Sequence, residues 1–182
     1  WLFPEFGTPL TANAFAFTND IVINEICYNP PILDSDPGVP PTINTVPLAS
    51  SGDVWRYNES GDALPADWAS QAHAIGGNWK SGATTLAYET GISITNLTNP
   101  AQNFPRVVTY YFEKDFTLTA QEVADLETLI LDHRIDDGAI FYLNGVELDR
   151  YQMPSGPVNS GTFASGNVGN AEWIGEYAIP IP

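Results

Sequence analysis

Apolar and polar residues alternate on both sides of Asn144-Gly145, within the segment 136–150 that reads DDGAIFYLNGVELDR. The dipeptide is typical of a two-residue type I′ turn, because both turn positions need a positive φ angle. A turn there pairs Leu143 with Val146 and Phe141 with Leu148. The pattern predicts an antiparallel hairpin with one apolar face directed at a core and one mixed face. The apolar face carries Ala139, Phe141, Leu143, Val146 and Leu148, and the mixed face carries Ile140, Tyr142, Glu147 and Asp149.

Several other segments have strand patterns, and one has a helical signature. Thr119 and Glu122 match a capping box, which predicts a helical turn over 119–125. The segment 106–114 is apolar on both faces, which predicts a central strand. Short strands separated by turns favour an all-β, antiparallel β-sandwich. The further predicted strands cover 21–28, 54–57, 127–134 (with Leu129 and Leu131 facing inwards) and 173–179.

The prolines divide the chain into three parts. Residues 1–28 are interpreted as an extended N-terminal arm with one strand. Residues 29–52 contain six prolines and are interpreted as a linker, because proline cannot donate to a β-ladder. Residues 53–182 are interpreted as the β-sandwich domain. No signal-peptide pattern opens the chain, so we expect a mature or excised segment.

Charge narrows the range of partners. The chain has 22 acidic and 6 basic residues, a formal net charge of −16. A field of that sign repels phosphate, which argues against a nucleic-acid partner. No apolar run approaches the about 18 residues of a membrane span, and Cys27 is the single cysteine, so no intrachain disulfide is expected. A composition poor in lysine and rich in Thr, Asn and Gly is typical of extracellular or cell-surface β-proteins.

The order of motifs from Trp55 onward resembles a known family. The series is Trp-Arg-Tyr at 55–57, Tyr-Tyr-Phe at 110–112, Asp-Asp-Gly at 136–138, Tyr-Leu-Asn-Gly at 142–145, then Arg150 and Met153-Pro154. It resembles the galactose-binding-like jelly-roll domains of large secreted bacterial proteins. The resemblance covers about residues 53–180 and implies a jelly-roll β-sandwich that serves as a binding module. Residues 21–31, IVINEICYNPP, separately resemble the opening strand of lamin-tail-like domains.

In that family another long strand follows the last strand of this chain, so the jelly roll is expected to lack its last strand. Such a fold has open ladder groups and a slot in its core. Either the sequence is a piece of a longer protein, or an extended segment of the same or a neighbouring subunit fills the slot. The residues proposed for that assembly strand are Ile21, Val22, Ile23, Ile26 and Tyr28.

The sequence does not predict an enzyme. His73 and His133 are the two histidines, and no nucleophile, zinc or phosphate-loop motif accompanies them. His133 follows Leu129 and Leu131 on a predicted strand, so we interpret it as a buried, hydrogen-bonded structural residue. Asp136 and Asp137 are adjacent on the chain, so their carboxylates point apart instead of converging as in glycosidases.

Two acidic pairs are candidates for a structural calcium ion. Asp136 and Asp137 enter a turn at Gly138, and Asp34 and Asp36 lie in the proline-rich segment. Calcium prefers oxygen ligands on irregular backbone. The alternative is that Asp136 and Asp137 cap backbone amides in an Asx turn. Apart from this ion no cofactor is expected.

Aromatic residues in predicted loops are candidates for sugar binding, because flat rings stack on pyranose faces. The predicted carbohydrate-binding residues are Trp68, Trp79 and Tyr88, with Asn78 and Lys80 nearby for hydroxyl groups. The alternative is that the tryptophans fill one end of the sandwich.

Two functions therefore follow from the sequence. The first is a non-catalytic extracellular accessory module that binds carbohydrate or a neighbouring protein. The second is a structural subunit that forms a homo-oligomer or filament by strand exchange through the arm or an open sheet edge.

Overall fold

The computed structural model describes residues 21–22, 26–28, 45–88, 91, 93–98, 106–179 and 181. Within these residues the chain is all-β, which confirms the predicted fold class. The helix α1 covers Ala120–Ala124, and a single 3-10 turn covers Trp68–Ser70. The strands are β1 (Ile21–Val22), β2 (Ile26–Tyr28), β3 (Val46–Ala49), β4 (Val54–Asn58), β5 (Trp79–Ala83), β6 (Leu86–Ala87), β7 (Thr95–Asn96), β8 (Tyr111–Glu113), β9 (Leu129–His133), β10 (Ala139–Leu143), β11 (Val146–Tyr151) and β12 (Ile174–Ile179).

The strands form three antiparallel sheets and one short parallel pair. The first sheet has the order β1-β10-β11, and the second has the order β12-β9-β2-β3. The third has the order β5-β4-β8, and β6 pairs with β7. One buried apolar cluster takes residues from all three antiparallel sheets, which gives the fold its sandwich-like character. Its members are Leu48, Ala49, Trp55, Leu129, Leu131, Phe141, Leu143 and Ile179.

The central hairpin forms at the predicted turn. Asn144 and Gly145 have φ angles of 50° and 83°, as a type I′ turn requires. Leu143 pairs with Val146 as predicted, but a β-bulge then pairs Phe141 with Asp149. The predicted pairing of Phe141 with Leu148 is therefore wrong, because a bulge adds one residue to one strand. Val146 is 51% exposed and does not join the core face.

The predicted single strand over 21–28 is two short strands in different sheets. Ile21 and Val22 pair with β10, whereas Ile26 and Tyr28 lie between β9 and β3. The chain therefore passes from one sheet to the other between these strands, and Ile23 lies outside the described residues. Both strands pair within their own chain. The strand β3 also lies inside the segment 29–52 that was interpreted as a linker, and its pairing with β2 makes it part of the fold.

The predicted central strand over 106–114 is wrong in length and in place. Only Tyr111–Glu113 is a strand, and it forms one edge of its sheet beside β4. Before it, Thr109 donates to the Ser160 carbonyl, and the Tyr110 hydroxyl donates to the Thr98 carbonyl. Thr109 and Tyr110 thus contact loop residues, and a pattern that is apolar on both faces does not distinguish such packing from that of a central strand.

Two local predictions are confirmed by individual residues of the structure. The Thr119 side chain accepts from the Glu122 amide and the Glu122 side chain accepts from the Thr119 amide, which is the predicted capping box. Leu129 and Leu131 are buried on the strand β9, as their alternation predicts.

The motif residues after Gly138 hold the loop that follows β11. The Arg150 guanidinium donates to the carbonyls of Pro154 and Gly156. A Cβ atom at Gly138 would come within 2.8 Å of the Gln152 carbonyl oxygen and 2.9 Å of the Met153 sulfur. Such overlap cannot be relieved without moving backbone, so this position requires glycine. The residues that carry the family resemblance therefore have an architectural role here.

His133 is buried, but its hydrogen bonding differs from the prediction. Its side chain is 0% exposed, and neither ring nitrogen has a hydrogen-bond partner among the described residues. The ring lies among Phe141, Tyr151 and Tyr177, with centroid distances of 5.1, 4.7 and 6.1 Å. Burial lowers the pKa of His133, and the nearby carboxylates of Asp149 and Asp132 only partly oppose this.

The buried imidazole predicts a loss of stability in mild acid. The unfolded chain takes up a proton below the ordinary histidine pKa of 6.5, whereas folded His133 stays neutral until its lower pKa is reached. The free energy of unfolding should therefore fall as the pH drops below 6.5, by up to about 1.4 kcal/mol per pH unit. Urea unfolding at several pH values measures it. The variant His133→Leu should lose most of this slope, and an equal slope in both proteins would contradict the prediction.

Candidate binding cleft

A cleft of about 680 Å³ lies beside the mixed face of the hairpin. Its walls come from residues 63–66, 68, 84–88, 108–112, 134–136, 138–142, 153, 158–160 and 162, together with Ser51, Leu97, Ala171 and Trp173. The volume is within the range of small-ligand sites in proteins, about 300–1,000 Å³. The aromatic residues of its lining are Trp68, Tyr88, Tyr110, Tyr111, Phe112, Phe141, Tyr142 and Trp173.

The hairpin turn and the 3-10 turn together position Trp68. A Cβ atom at Gly145 would lie 2.8 Å from the Ser70 Cβ, so glycine lets the hairpin tip approach the 3-10 turn. Trp68 then packs edge-on against Tyr111 and Tyr142, with centroid distances of 4.9 and 5.8 Å. Such edge-to-face pairs contribute about 0.5–1.5 kcal/mol each beyond their buried area. The three rings form one aromatic wall of the cleft.

Two aromatic residues of the lining are open to solvent. Tyr88 is 44% exposed and Trp173 is 56% exposed. Both are large rings that water covers in the absence of a ligand, and their burial by a ligand is favourable. They lie at the accessible part of the cleft, whereas Tyr111 and Phe141 are buried at its base.

Burial keeps three phenol groups of the cleft protonated at physiological pH. Burial raises the pKa of Tyr110 to about 12, and burial also raises the pKa of Tyr142 and Tyr111. The Tyr110 hydroxyl donates to the Thr98 carbonyl at 2.6 Å. These three phenol groups are therefore uncharged.

Charged groups in the cleft are few. Arg134 and Asp136 are the charged residues of the described lining. The Arg134 Nε donates to the Ala171 carbonyl at 2.8 Å, which holds the guanidinium stem against the wall. The cleft thus combines ring faces with a small number of polar groups, an arrangement suited to noncovalent binding of a partly apolar, hydroxyl-bearing ligand.

The structure places only two of the five predicted carbohydrate-binding residues in the cleft. Trp68 and Tyr88 line the cleft. Trp79 is only 8% exposed and stacks on His73 with a centroid distance of 4.2 Å, so it fills the structure as the alternative interpretation held. Asn78 donates to Asp62, and Lys80 pairs with Glu59; neither lines the cleft.

Sequence reasoning missed six of the eight aromatic residues of the described lining, among them Tyr142, Trp173 and Tyr110. Tyr142 was placed on the mixed face of the hairpin, a signal that it does not belong to the core. The sequence pattern predicts that the last strand starts at Trp173, but the strand starts at Ile174. Tyr110 was assigned to a central strand that the structure does not contain at that residue.

The Asp136-Asp137 pair caps backbone amides. The Asp137 amide donates to the Asp136 carboxylate at 3.0 Å, and the Val168 amide donates to the Asp137 carboxylate at 2.9 Å. Within the described residues no three His, Cys, Asp or Glu side chains come together as a metal site would require. Asp34 and Asp36 lie outside the described residues. The calcium hypothesis for these four residues stays a prediction.

A second polar centre surrounds the buried carboxylate of Glu113. This carboxylate accepts from the His73 amide at 3.0 Å and from the Arg56 Nε at 2.5 Å, and it lies 2.7 Å from the His73 Nδ1. Arg56 also makes two bonds to Asp115. A carboxylate-oriented histidine is one part of many hydrolase sites. In the described part of the chain no hydroxyl or thiol is bonded to His73, so the group fits a structural role that joins 71–78 to the sheet.

Comparison with protein-family models, with curated proteins and with solved structures yields no match for this chain. Among the described residues, no helix is both long and apolar enough to cross a membrane. The resemblance to galactose-binding-like domains therefore stands on the motif residues themselves.

The Glu113 centre predicts a large effect on stability. Glu113→Ala removes a fully buried carboxylate together with its hydrogen bonds to the Arg56 Nε and the His73 amide, so the free energy of unfolding should fall by about 3 kcal/mol, because each hydrogen bond to a charged group contributes about 1.5–3 kcal/mol. Glu147→Ala is the matched control, because Glu147 pairs with Arg150 near the surface, and it should cost about 0–1 kcal/mol. Urea unfolding of both variants tests this, and equal losses would show that burial of the pair is unimportant.

Proposed function

We propose that this protein is a non-catalytic, extracellular binding module whose aromatic cleft binds an oligosaccharide. The proposal rests on one observation. Tyr88 and Trp173, which are exposed to solvent, line the same cleft as the half-buried Trp68. The three residues come from separate parts of the chain, and the fold brings them together.

The chemistry of the cleft matches a sugar. A pyranose ring has a face of C–H groups that packs on an aromatic ring and an edge of hydroxyls that needs hydrogen bonds. The cleft has several ring faces, and Thr109, Asn159 and Arg134 contribute polar groups to its lining. A carbohydrate is the ligand class that can contact both the ring faces and these polar groups.

The family resemblance supports the same proposal. Galactose-binding-like jelly rolls are binding modules of secreted proteins, and a jelly-roll arrangement is the finer fold that we propose for the sandwich-like sheets. The acidic composition, with a formal net charge of −16, suits a soluble extracellular surface.

Substitution of Trp173 should weaken sugar binding. Trp173 is exposed in the cleft, so Trp173→Ala removes a stacking surface while the core stays intact. We expect an affinity at least about tenfold lower, because an aromatic anchor contributes more than about 1.4 kcal/mol. Isothermal titration with cellohexaose, maltohexaose, laminarihexaose and a galactohexaose measures it. Phe163→Ala is the control, since Phe163 is 67% exposed but does not line the cleft. No binding of any oligosaccharide, or equal binding by both variants, would contradict the proposal.

A structural subunit is the second candidate, and the N-terminal strands favour it. The strands β1 and β2 are two and three residues long and pair with β10 and β9 of two different sheets. A segment that enters two sheets through so few residues is easily exchanged for the same segment of another copy, because every pairing is preserved.

Strand exchange predicts growth in mass with concentration. The mass of the purified chain in solution should rise over a concentration series followed by light scattering, and deletion of residues 1–28 should abolish the rise. A monomer at every concentration would contradict the structural-subunit proposal and leave sugar binding as the function of the chain.

A further inference from the structure

We infer that the cleft selects neutral glycans and rejects sulfated or uronate-rich ones. The inference rests on the proposed sugar-binding function and concerns which class of sugar the cleft accepts. It follows from how the protein distributes its charges.

The cations of the chain are largely neutralised within the fold. The chain has six lysines and arginines against 22 acidic residues. Four of the six form ion pairs with carboxylates of the same chain, with N···O distances of 3.2 Å or less. They are Arg56, Lys80, Lys114 and Arg150. Their charge is therefore screened from a ligand by a partner at contact distance.

The described lining of the cleft has no net positive charge. Of the two remaining cations, Arg106 does not line the cleft, and Arg134 does. The described lining also contains the exposed carboxylate of Asp136, so its formal charges cancel. The rest of the lining is aromatic, aliphatic or neutral polar. A ligand in the cleft therefore meets ring faces and hydroxyls locally and the negative field of the whole protein at longer range.

An anionic glycan would have to overcome that field. Each sulfate or carboxylate entering the cleft loses part of its hydration and gains at most one guanidinium, which already has Asp136 in the same lining. The negative field extends over about 10 Å at 0.1 M salt, so surrounding carboxylates contribute to the repulsion. A neutral glycan is not repelled by the negative field, and it still stacks on Trp68, Tyr88 and Trp173.

A matched pair of ligands tests the inference. The probes are each neutral hexasaccharide of the panel above and its sulfated counterpart, titrated at about 20 mM and about 500 mM NaCl. We expect the sulfated form to bind at least about tenfold more weakly than its neutral parent at low salt, with the gap narrowing at high salt. The affinity of the neutral form should change less than about twofold with salt.

Two variants locate the effect in the cleft. Asp136→Asn removes the carboxylate of the lining and should strengthen binding of the sulfated form at low salt by about two- to threefold. Glu127→Gln is the control, because Glu127 is an exposed acid that does not line the cleft, and it should change this affinity less.

The outcomes separate the inference from the proposed function. Neutral binding with rejection of the sulfated form supports both. Sulfated binding equal to or tighter than neutral binding at low salt overturns the inference and keeps sugar binding. Sulfated binding that appears only with added calcium also overturns it, because the ion then supplies the missing charge. No binding of either form overturns the proposed function and the inference with it.

Discussion

The register of the β10–β11 hairpin is the constraint on which the rest of this structure depends. Strand β10 pairs with β11 on one side and β1 on the other, and it buries Phe141 and Leu143 in the shared core. Because side chains alternate along a strand, a slip of one residue would exchange core and surface residues. The Asn144-Gly145 turn sets the pairing of Leu143 with Val146, and the bulge between Phe141 and Tyr142 sets the pairing further along the hairpin.

The same hairpin joins the core to the cleft. Ile140 and Tyr142 lie on its mixed face, and both line the cleft. Its glycine tip permits close approach to Ser70, which places Trp68 against Tyr142. The cleft is therefore built by the same strand pairing that builds the core.

The distribution of charge gives the surface its chemistry. Most of the few cations serve as internal partners of carboxylates, as Arg56 does for Glu113. The acidic residues outnumber the basic ones by 22 to 6, and an excess of that size favours solubility and repels anions. The cleft departs from that surface because aromatic residues dominate its lining, and this contrast makes it the place where a partly apolar ligand would bind.

The sequence by itself determined the features that arise within a few residues: the hairpin turn, the Thr119–Glu122 capping box and the inward alternation of Leu129 and Leu131. Local geometry decides these, so local patterns reveal them. It also identified Trp68 and Tyr88 as loop aromatics, but it grouped them with Trp79, which the pairing of β5 with β4 buries against His73.

Only the tertiary structure decided which distant segments meet. In the structure, the predicted strand 21–28 is two strands in different sheets. The strand β3 forms within the proline-rich segment, and Trp173 lines the cleft. It also surrounded His133 with three aromatic rings. Burial and pairing between residues far apart in the chain depend on the whole fold, and periodicity records which side chains avoid water but not which partners cover them.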